Sequence, residues 1–209
     1  MTQVRISVAN IAPFAIIDGR VFYVGLLNNS SMRSGKLEYK ALGGAAMLRN
    51  KTMFETCFGA TVEGVDARMI VDEHHVDSIL RLLETRDSKI IETTLDRELN
   101  EELTQIELPG QTSPLLSHAT AARIASTFYK TLKQTPFSEG DKGSARAGQT
   151  PTYRLLNLFQ IEIPLDLLPI LANCEKLHGV PILKFISEAE MNQGVTTDGV
   201  KIGGNIFRR

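Results

Sequence analysis

Three glutamates in the segment E-T-T-L-D-R-E-L-N-E-E-L, residues 92–103, have a spacing that suits cation binding. If this segment is helical, Glu98, Glu101 and Glu102 stand at i, i+3 and i+4 and project from one face of the helix. Like charges at this spacing repel one another, so the face needs a counter-charge. Hard divalent cations such as Mg²⁺ prefer oxygen ligands, and Mg²⁺ often shares them with substrate phosphates. The spacing therefore indicates a metal and phosphate site.

A charged helix surface without any metal is the alternative. Arg97 can pair with Glu101 at i,i+4 in an ordinary solvent-exposed ladder. Leu95, Leu99 and Leu103 form a second stripe, which presses the helix into a core under either interpretation. Both interpretations remain open at this point.

The elements that must position this helix follow from periodicity and from turn residues. Strands are expected over 4–9, 14–17, 21–27, 36–42, 53–62, 66–71, 153–163 and 182–186. Helices are expected over 74–85, 92–103 and 167–177, whereas 117–133 is either a helix or an extended arm. Asp18-Gly19 predicts a two-residue hairpin turn, and Thr93 or Thr94 is expected to cap the acidic helix.

Two further signals concern glycine and helix capping. Gly43-Gly44 closes the strand over 36–42, which allows close approach of a ligand to the backbone or simply forms a tight turn. Ser187 and Glu190 have the spacing of a capping box at the start of a helix or turn.

Bulk composition excludes several classes of protein. The chain has 209 residues, 43% hydrophobic and 22% charged, with a formal net charge of −1 and no polybasic tract, so nucleic-acid binding is not expected. Cys57 and Cys174 are its two cysteines and lack the spacing of a zinc site. No apolar run reaches the roughly 18 residues of a membrane-spanning helix, and the N-terminus lacks a signal-peptide layout. We therefore expect a soluble, cytoplasmic protein that does not bind membranes.

The order of hairpin, Gly43-Gly44 and the run R-E-L-N-E-E at 97–102 resembles the Nudix hydrolase superfamily. Asp66-Ala-Arg68, the helix over 74–85 and Tyr153-Arg154-Leu155 are similar to the SMODS-associated Nudix domain of bacterial conflict systems. The resemblance implies an α/β fold, a Nudix-like α/β/α sandwich with a mixed β-sheet. It also implies one domain over 1–209, with a flexible insertion near 134–152 that serves as a lid or recognition element.

The chain departs from the superfamily pattern at three positions. Lys89 stands where the pattern has a Glu, Leu83 where it has a Gly, and Thr104 where a Gly follows the helix. Glu92 is near the missing Glu in sequence, but its spacing does not match. The glycine pair also lies about fifty residues before the acidic run.

The resemblance implies a metal-dependent hydrolase that cleaves the pyrophosphate bond of a nucleoside triphosphate, or of a nucleoside diphosphate linked to another moiety, in antiviral defence. The implied cofactor is Mg²⁺ or Mn²⁺, the implied partner is a nucleotide substrate, and a homodimer is expected at the level of the family. The implied metal ligands are Glu98, Glu101, Glu102 and a main-chain carbonyl of Gly43 or Gly44, and the implied catalytic residues are Glu101, Glu102 and Arg97. Further candidates for substrate binding or for an extra acidic ligand are Arg146, Arg154, Glu139 and Glu162.

Two other classes of function stay open. A Nudix-fold sensor would bind a nucleotide without cleaving it, and Lys89 at the position of the missing Glu favours that class. A pure interaction scaffold would use the carboxylates without any metal.

Overall fold

The computed structural model describes residues 2–28, 35–105, 107–108, 111–112, 115–136, 150–174 and 176–203. Its strands are β1 (Gln3–Ile17), β2 (Arg20–Leu27), β3 (Glu38–Lys40), β4 (Leu42–Ala45), β5 (Thr61–Val62), β6 (Arg68–Asp72), β7 (Glu107–Leu108), β8 (Gln111–Thr112), β9 (Ala125–Gln134), β10 (Thr152–Glu162), β11 (Lys176–Leu177), β12 (Val180–Pro181), β13 (Leu183–Ile186) and β14 (Lys201–Ile202). Its helices are α1 (Lys51–Phe58), α2 (Val76–Glu84), α3 (Asp96–Thr104), α4 (His118–Ala121), α5 (Leu168–Ala172) and α6 (Glu188–Gln193), with 3₁₀ turns at Glu73–His75 and Leu165–Leu167. The expected α/β class with a mixed sheet is confirmed.

The chain forms two compact units. The first unit comprises Met1–Asn10, Gly44–Thr94 and Tyr129–Leu158. The second unit comprises Ile11–Gly43, Leu95–Phe128 and Phe159–Arg209. The single Nudix-like domain expected over 1–209 stays a prediction.

The first unit is built on the start of β1. Gln3 to Ser7 pair antiparallel with β6, which pairs in turn with β5. Successive side chains of a strand point to opposite faces, so Val4, Ile6 and Val8 of β1 are buried together on one face. The expected helix over 74–85 is present as a 3₁₀ turn followed by α2, and it adds its apolar stripe to the same core. That stripe consists of Val76, Ile79, Leu80 and Leu83.

The extended segment expected over 53–62 is mostly a helix. α1 begins after Asn50, whose side chain accepts a hydrogen bond of 3.1 Å from the Met53 N–H, and it ends at Gly59. Phe54 is its one buried residue, and the partly buried Met53 and Phe58 also pack against the core. An Asn cap and a terminal Gly nine residues apart were the local signals that favour a helix here.

The second unit contains the predicted hairpin. Phe14 pairs with Tyr23 and Ile17 pairs with Arg20, so the turn consists of Asp18 and Gly19. Both turn residues have positive φ, 48° and 70°, which matches the twist of the flanking strands.

The sheet of the second unit continues on both edges of β2. β13 pairs antiparallel with β2 from Leu183 opposite Leu26, which confirms the strand expected over 182–186. β3 also pairs antiparallel with β2, whereas β14 runs parallel to β3. The parallel pairing of β14 with β3 makes the sheet mixed. It also holds β3, which precedes Gly43 in sequence, on the side away from β2.

Two expected elements differ in the structure. Residues 117–133 form the short helix α4 and then β9, because Thr127, Phe128, Tyr129 and Thr131 are β-branched or aromatic. The helix expected over 167–177 stops at Ala172 in α5, and β11 follows. The core strand expected over 153–163 is confirmed as β10, whereas residues 137–149 of the expected insertion lie outside the described residues.

Candidate functional site

The acidic helix α3 is held by the face opposite to its carboxylates. Leu95, Leu99 and Leu103 are at most 2% exposed, so the leucine stripe is buried as the sequence predicts. The helix begins at Asp96 rather than at residue 92, and Leu95 occupies the capping position without a side-chain hydrogen bond. The expected cap at Thr93 or Thr94 is therefore wrong.

Polar contacts fix α3 at both ends. Ser126 donates a hydrogen bond of 3.2 Å to the Asp96 carboxylate in the first turn. Near the other end, the His118 Nδ1 lies 2.8 Å from the Asn100 amide oxygen, and Thr104 Oγ1 donates to the Asn100 carbonyl. Packing and these contacts together set the direction in which the glutamates point.

Glu102 lies between Lys40 of β3 and Gly43, which belongs to β4 and does not close a strand as the sequence predicts. Its Oε1 accepts a hydrogen bond from Lys40 Nζ at 2.5 Å, and its Oε2 accepts one from the Gly43 N–H at 2.5 Å. Its side chain is only 12% exposed. The two-point contact joins α3 to the strand end across about sixty residues of chain.

Gly43 can present its amide in this way because of its backbone conformation. Its φ of 117° lies in a region that residues with a Cβ rarely adopt. The sequence suggested that a carbonyl of Gly43 or Gly44 faces the site, whereas the group bonded to Glu102 is the Gly43 N–H. The sequence left open a tight turn or a close approach of a ligand to the backbone at Gly43-Gly44. In the structure, the group that approaches the Gly43 backbone is the carboxylate of Glu102.

Arg97 joins the other two carboxylates. Its Nη2 donates to Glu98 Oε1 at 2.6 Å, and its Nη1 donates to Glu101 at 3.0 Å and 3.2 Å. Glu98 is buried, while the Glu101 side chain is 46% exposed. The i,i+4 pair expected from the sequence thus exists, within a cluster that also includes a buried carboxylate.

The electrostatics of the cluster are unfavourable for charged carboxylates. Burial, together with the charges of Glu102 and Glu101, raises the pKa of Glu98 to about 7 against the attraction of Arg97. Burial also raises the pKa of Glu102, although Lys40 and the Gly43 N–H offset part of that rise. A cluster of carboxylates with raised pKa values is typical of binding and catalytic sites.

The carboxylates bind protein donors rather than forming a finished metal site. Within the described residues, no three His, Cys, Asp or Glu side chains are already arranged to hold a metal ion. The carboxylates of Glu98, Glu101 and Glu102 are instead bound by Arg97, Lys40 or the Gly43 N–H. A cation would have to replace some of these contacts.

Glu92, the substitute considered for the missing Glu, belongs to the first unit and not to the helix. It is 4% exposed, and its Oε2 accepts a hydrogen bond of 3.1 Å from the Met47 N–H. The Asn10 side chain donates to the Glu92 carbonyl and accepts from Asn157. Lys89, at the position of that Glu, is exposed, and its N–H donates to Asp87.

The remaining sequence candidates are Arg154, Glu162, Glu139 and Arg146. Arg154 is a half-buried residue of β10 in the first unit. Glu162 is exposed in the second unit, where it lines an open cavity of about 360 Å³ together with Arg123. Glu139 and Arg146 lie outside the described residues.

Sequence reasoning missed one residue of the site, Lys40. Lys40 is the last residue of β3 and lies three residues before Gly43 in sequence. The available signal was therefore a charged residue close to Gly43-Gly44. The partner of Lys40 is 62 residues away in sequence, and no local pattern encodes that contact.

No described helix combines the length and apolar character that crossing a bilayer requires. Comparison of the chain with protein-family models, with characterised proteins and with solved structures gave no significant match.

Proposed function

We propose that this protein is a Mg²⁺- or Mn²⁺-dependent hydrolase that cleaves the pyrophosphate bond of a nucleoside triphosphate, or of a nucleoside diphosphate linked to another moiety. The observation that carries the proposal is the two-point contact of Glu102 with Lys40 and the Gly43 N–H. It places a helix with three carboxylates against a glycine backbone and a lysine. Acidic ligands and cationic groups are both needed to bind a metal together with a polyphosphate.

The donor set suits a hard cation. Glu98, Glu101 and Glu102 offer six carboxylate oxygens from one helical face, and Mg²⁺ prefers oxygen. The Arg97–Glu101 pair is half exposed, and such pairs contribute at most about 1 kcal/mol, so a cation can replace that contact. The cation would be held by Glu98, Glu101 and Glu102.

The residues of the chain have distinct roles in this proposal. A bound cation neutralises phosphate charge and lowers the pKa of the attacking water. Arg97 orients Glu98 and Glu101, and Glu102 is oriented by the Gly43 N–H.

We further propose that the chain has a Nudix-like α/β/α sandwich related to the SMODS-associated Nudix domain, and that it acts in the cytoplasm in antiviral defence. A homodimer is part of this proposal. Its support is the order of hairpin, Gly43-Gly44 and R-E-L-N-E-E in the sequence, together with the mixed α/β structure.

A nucleotide-binding module that does not cleave its ligand is the second candidate. Two observations favour it: Lys89 is an exposed loop residue where the superfamily has a Glu, and all three carboxylates already bind protein donors. In that case Lys40 and Arg97 would bind the phosphates directly.

The test is a panel of nucleoside triphosphates and nucleoside diphosphate conjugates, incubated with the protein and Mg²⁺ or Mn²⁺ and analysed by mass spectrometry. The proposal expects release of a nucleoside monophosphate or of pyrophosphate from at least one substrate. Glu101→Gln and Glu102→Gln should remove that activity, whereas Glu188→Gln, an exposed glutamate of α6, should retain it. Nucleotide binding without any turnover across the panel would replace the hydrolase by the binding module.

A further inference from the structure

We propose that Lys40 exchanges partners at this site: it neutralises Glu102 when no divalent cation is bound, and it binds an anionic oxygen of the pyrophosphate once a cation takes its place. This inference rests on the function proposed above and assigns Lys40 a substrate-binding role that the sequence does not indicate.

The two oxygens of Glu102 are held in different ways. Oε2 is bonded to a backbone amide, which the conformation of Gly43 fixes in place. Oε1 is bonded to the ammonium of Lys40, which ends a flexible four-carbon chain. A cation that binds Glu102 therefore meets a movable competitor at Oε1 and a fixed support at Oε2.

Exposure makes the exchange feasible. The Lys40 side chain is 35% exposed, whereas the Glu102 side chain is 12% exposed. The Lys40 side chain thus remains partly in contact with solvent, while the Glu102 side chain is largely buried. A divalent cation carries twice the charge of the ammonium, so it can displace the lysine from Glu102.

The charge of the cluster changes sign when a divalent cation binds. When all three carboxylates are ionised, they face two side-chain cations, Arg97 and Lys40, which leaves one net negative charge. A bound divalent cation makes the cluster net positive. The positive cluster then repels the Lys40 ammonium and attracts a phosphate anion. Lys40 gains a partner by turning from Glu102 to that anion.

This exchange affects the two ligands in opposite ways, because Lys40 competes with the metal for Glu102 but contributes to binding of the anion. Lys40→Met should bind Mn²⁺ more tightly than the wild type when no anion is present, roughly threefold to tenfold. The same variant should bind inorganic pyrophosphate, in the presence of saturating Mn²⁺, about tenfold more weakly. A lysine that only stabilised the site would show weaker binding of both.

The experiment measures free Mn²⁺ by electron paramagnetic resonance during titration of the full chain, and pyrophosphate binding by calorimetry. Lys36→Met is the matched control, since it removes an exposed lysine shortly before β3 and should change neither affinity. Thermal unfolding of each variant shows whether it is folded.

The outcomes separate this inference from the proposed hydrolase. Unchanged or weaker Mn²⁺ binding by Lys40→Met, in a protein that hydrolyses nucleotides, overturns the exchange and leaves the hydrolase intact. The predicted opposite shifts in a protein without turnover support the exchange and contradict the hydrolase. Absence of Mn²⁺ binding by the wild type contradicts both.

Discussion

Two buried glutamates of the second unit, Glu98 in α3 and Glu190 in α6, differ in almost everything except their burial. Each is 7% exposed. The pKa of Glu98 is raised to about 7, mainly by burial, whereas the pKa of Glu190 is about 2. Two glutamates with the same exposed fraction thus have pKa values that are shifted in opposite directions.

The cause of the difference is the supply of hydrogen-bond donors. Burial alone would raise the pKa of Glu190, but the backbone N–H groups of Thr197 and Ser187 and their two hydroxyls all donate to its carboxylate, at 2.7 to 3.0 Å. Glu98 lies beside two other carboxylates, and the contact with Arg97 does not offset its burial. Glu190 is therefore held as an anion by the fold, whereas charge on Glu98 has a free-energy cost in the fold.

The comparison separates a structural carboxylate from a functional candidate. Glu190 completes a capping box with Ser187 and also ties the following turn to the helix, which accounts for its burial. Glu98 completes no capping box, since the capping position of α3 is occupied by Leu95, which makes no side-chain hydrogen bond. Unfavourable charge that a fold retains is characteristic of sites at which a ligand supplies the missing partner.

The largest expected effect is a loss of hydrolysis when a carboxylate of α3 is changed, but not when Glu190 of α6 is changed. Glu102→Gln should lower hydrolysis by about a thousandfold, because it removes a charged ligand of the proposed cation. Glu190→Gln should retain the activity per folded molecule. Steady-state rates with the best substrate of the panel, normalised to folded protein, measure both. Equal loss in the two variants would erase the distinction.

Glu190→Gln should in turn have the larger effect on stability. An amide cannot accept all the hydrogen bonds that the carboxylate accepts, and the pKa shift corresponds to roughly 2–3 kcal/mol at neutral pH. Because the folded pKa is lowered, this contribution is complete above about pH 4.5 and is lost as the pH falls towards 2. Urea unfolding at several pH values should show the gap between wild type and variant shrinking over that range. A gap that stays constant with pH would contradict the assignment.

A glycine substitution tests the support of Glu102. Gly43→Ala should destabilise the protein by about 1–3 kcal/mol, since φ is 117° there, and should also weaken Mn²⁺ binding by displacing the amide that holds Glu102. The matched control is Gly194→Ala at the end of α6, where φ is 71° and an added Cβ would meet no atom within 4 Å. The control should lose stability and keep its Mn²⁺ affinity. Mn²⁺ affinity that falls equally in both variants would show that the effect is not local.

The smallest expected effect is a gain in stability. Glu98→Gln removes a buried charge, so the variant should be more stable than the wild type by about 1 kcal/mol at pH 8. Because the folded pKa of Glu98 is raised, the wild type loses stability as the pH rises from about 4.5 through 7, and the advantage of the variant should appear over that window. Thermal unfolding at pH 4 and pH 8 measures it. A variant less stable than the wild type at pH 8 would place Glu98 in the same class as Glu190.

Local signals predicted the parts of the structure that depend on neighbouring residues. Asp18-Gly19 gave the hairpin, the leucines of α3 gave its buried stripe, and Ser187 with Glu190 gave the capping box. The turn chemistry, the helical period and the cap all lie within a few residues of chain. The same locality explains why the spacing of the α3 carboxylates was visible in the sequence.

Contacts between distant residues were not predictable in this way. The bond between Lys40 and Glu102 depends on how β3 and α3 meet, and the burial of Glu92 depends on Met47 and Asn10. The apolar residues of 53–62 predict an extended segment, whereas the cap at Asn50 and the terminal Gly59 enclose a helix. Periodicity in a short apolar segment does not separate a helix from a strand, so the end signals decide.

The most direct test of the account is a crystal structure of the protein with Mn²⁺ and a non-hydrolysable nucleotide, with anomalous difference maps collected for manganese. The account predicts an anomalous peak about 2.2 Å from carboxylate oxygens of α3, Glu102 among them, with a phosphate oxygen as a further ligand. A nucleotide bound elsewhere, with no manganese at Glu98, Glu101 and Glu102, would contradict it.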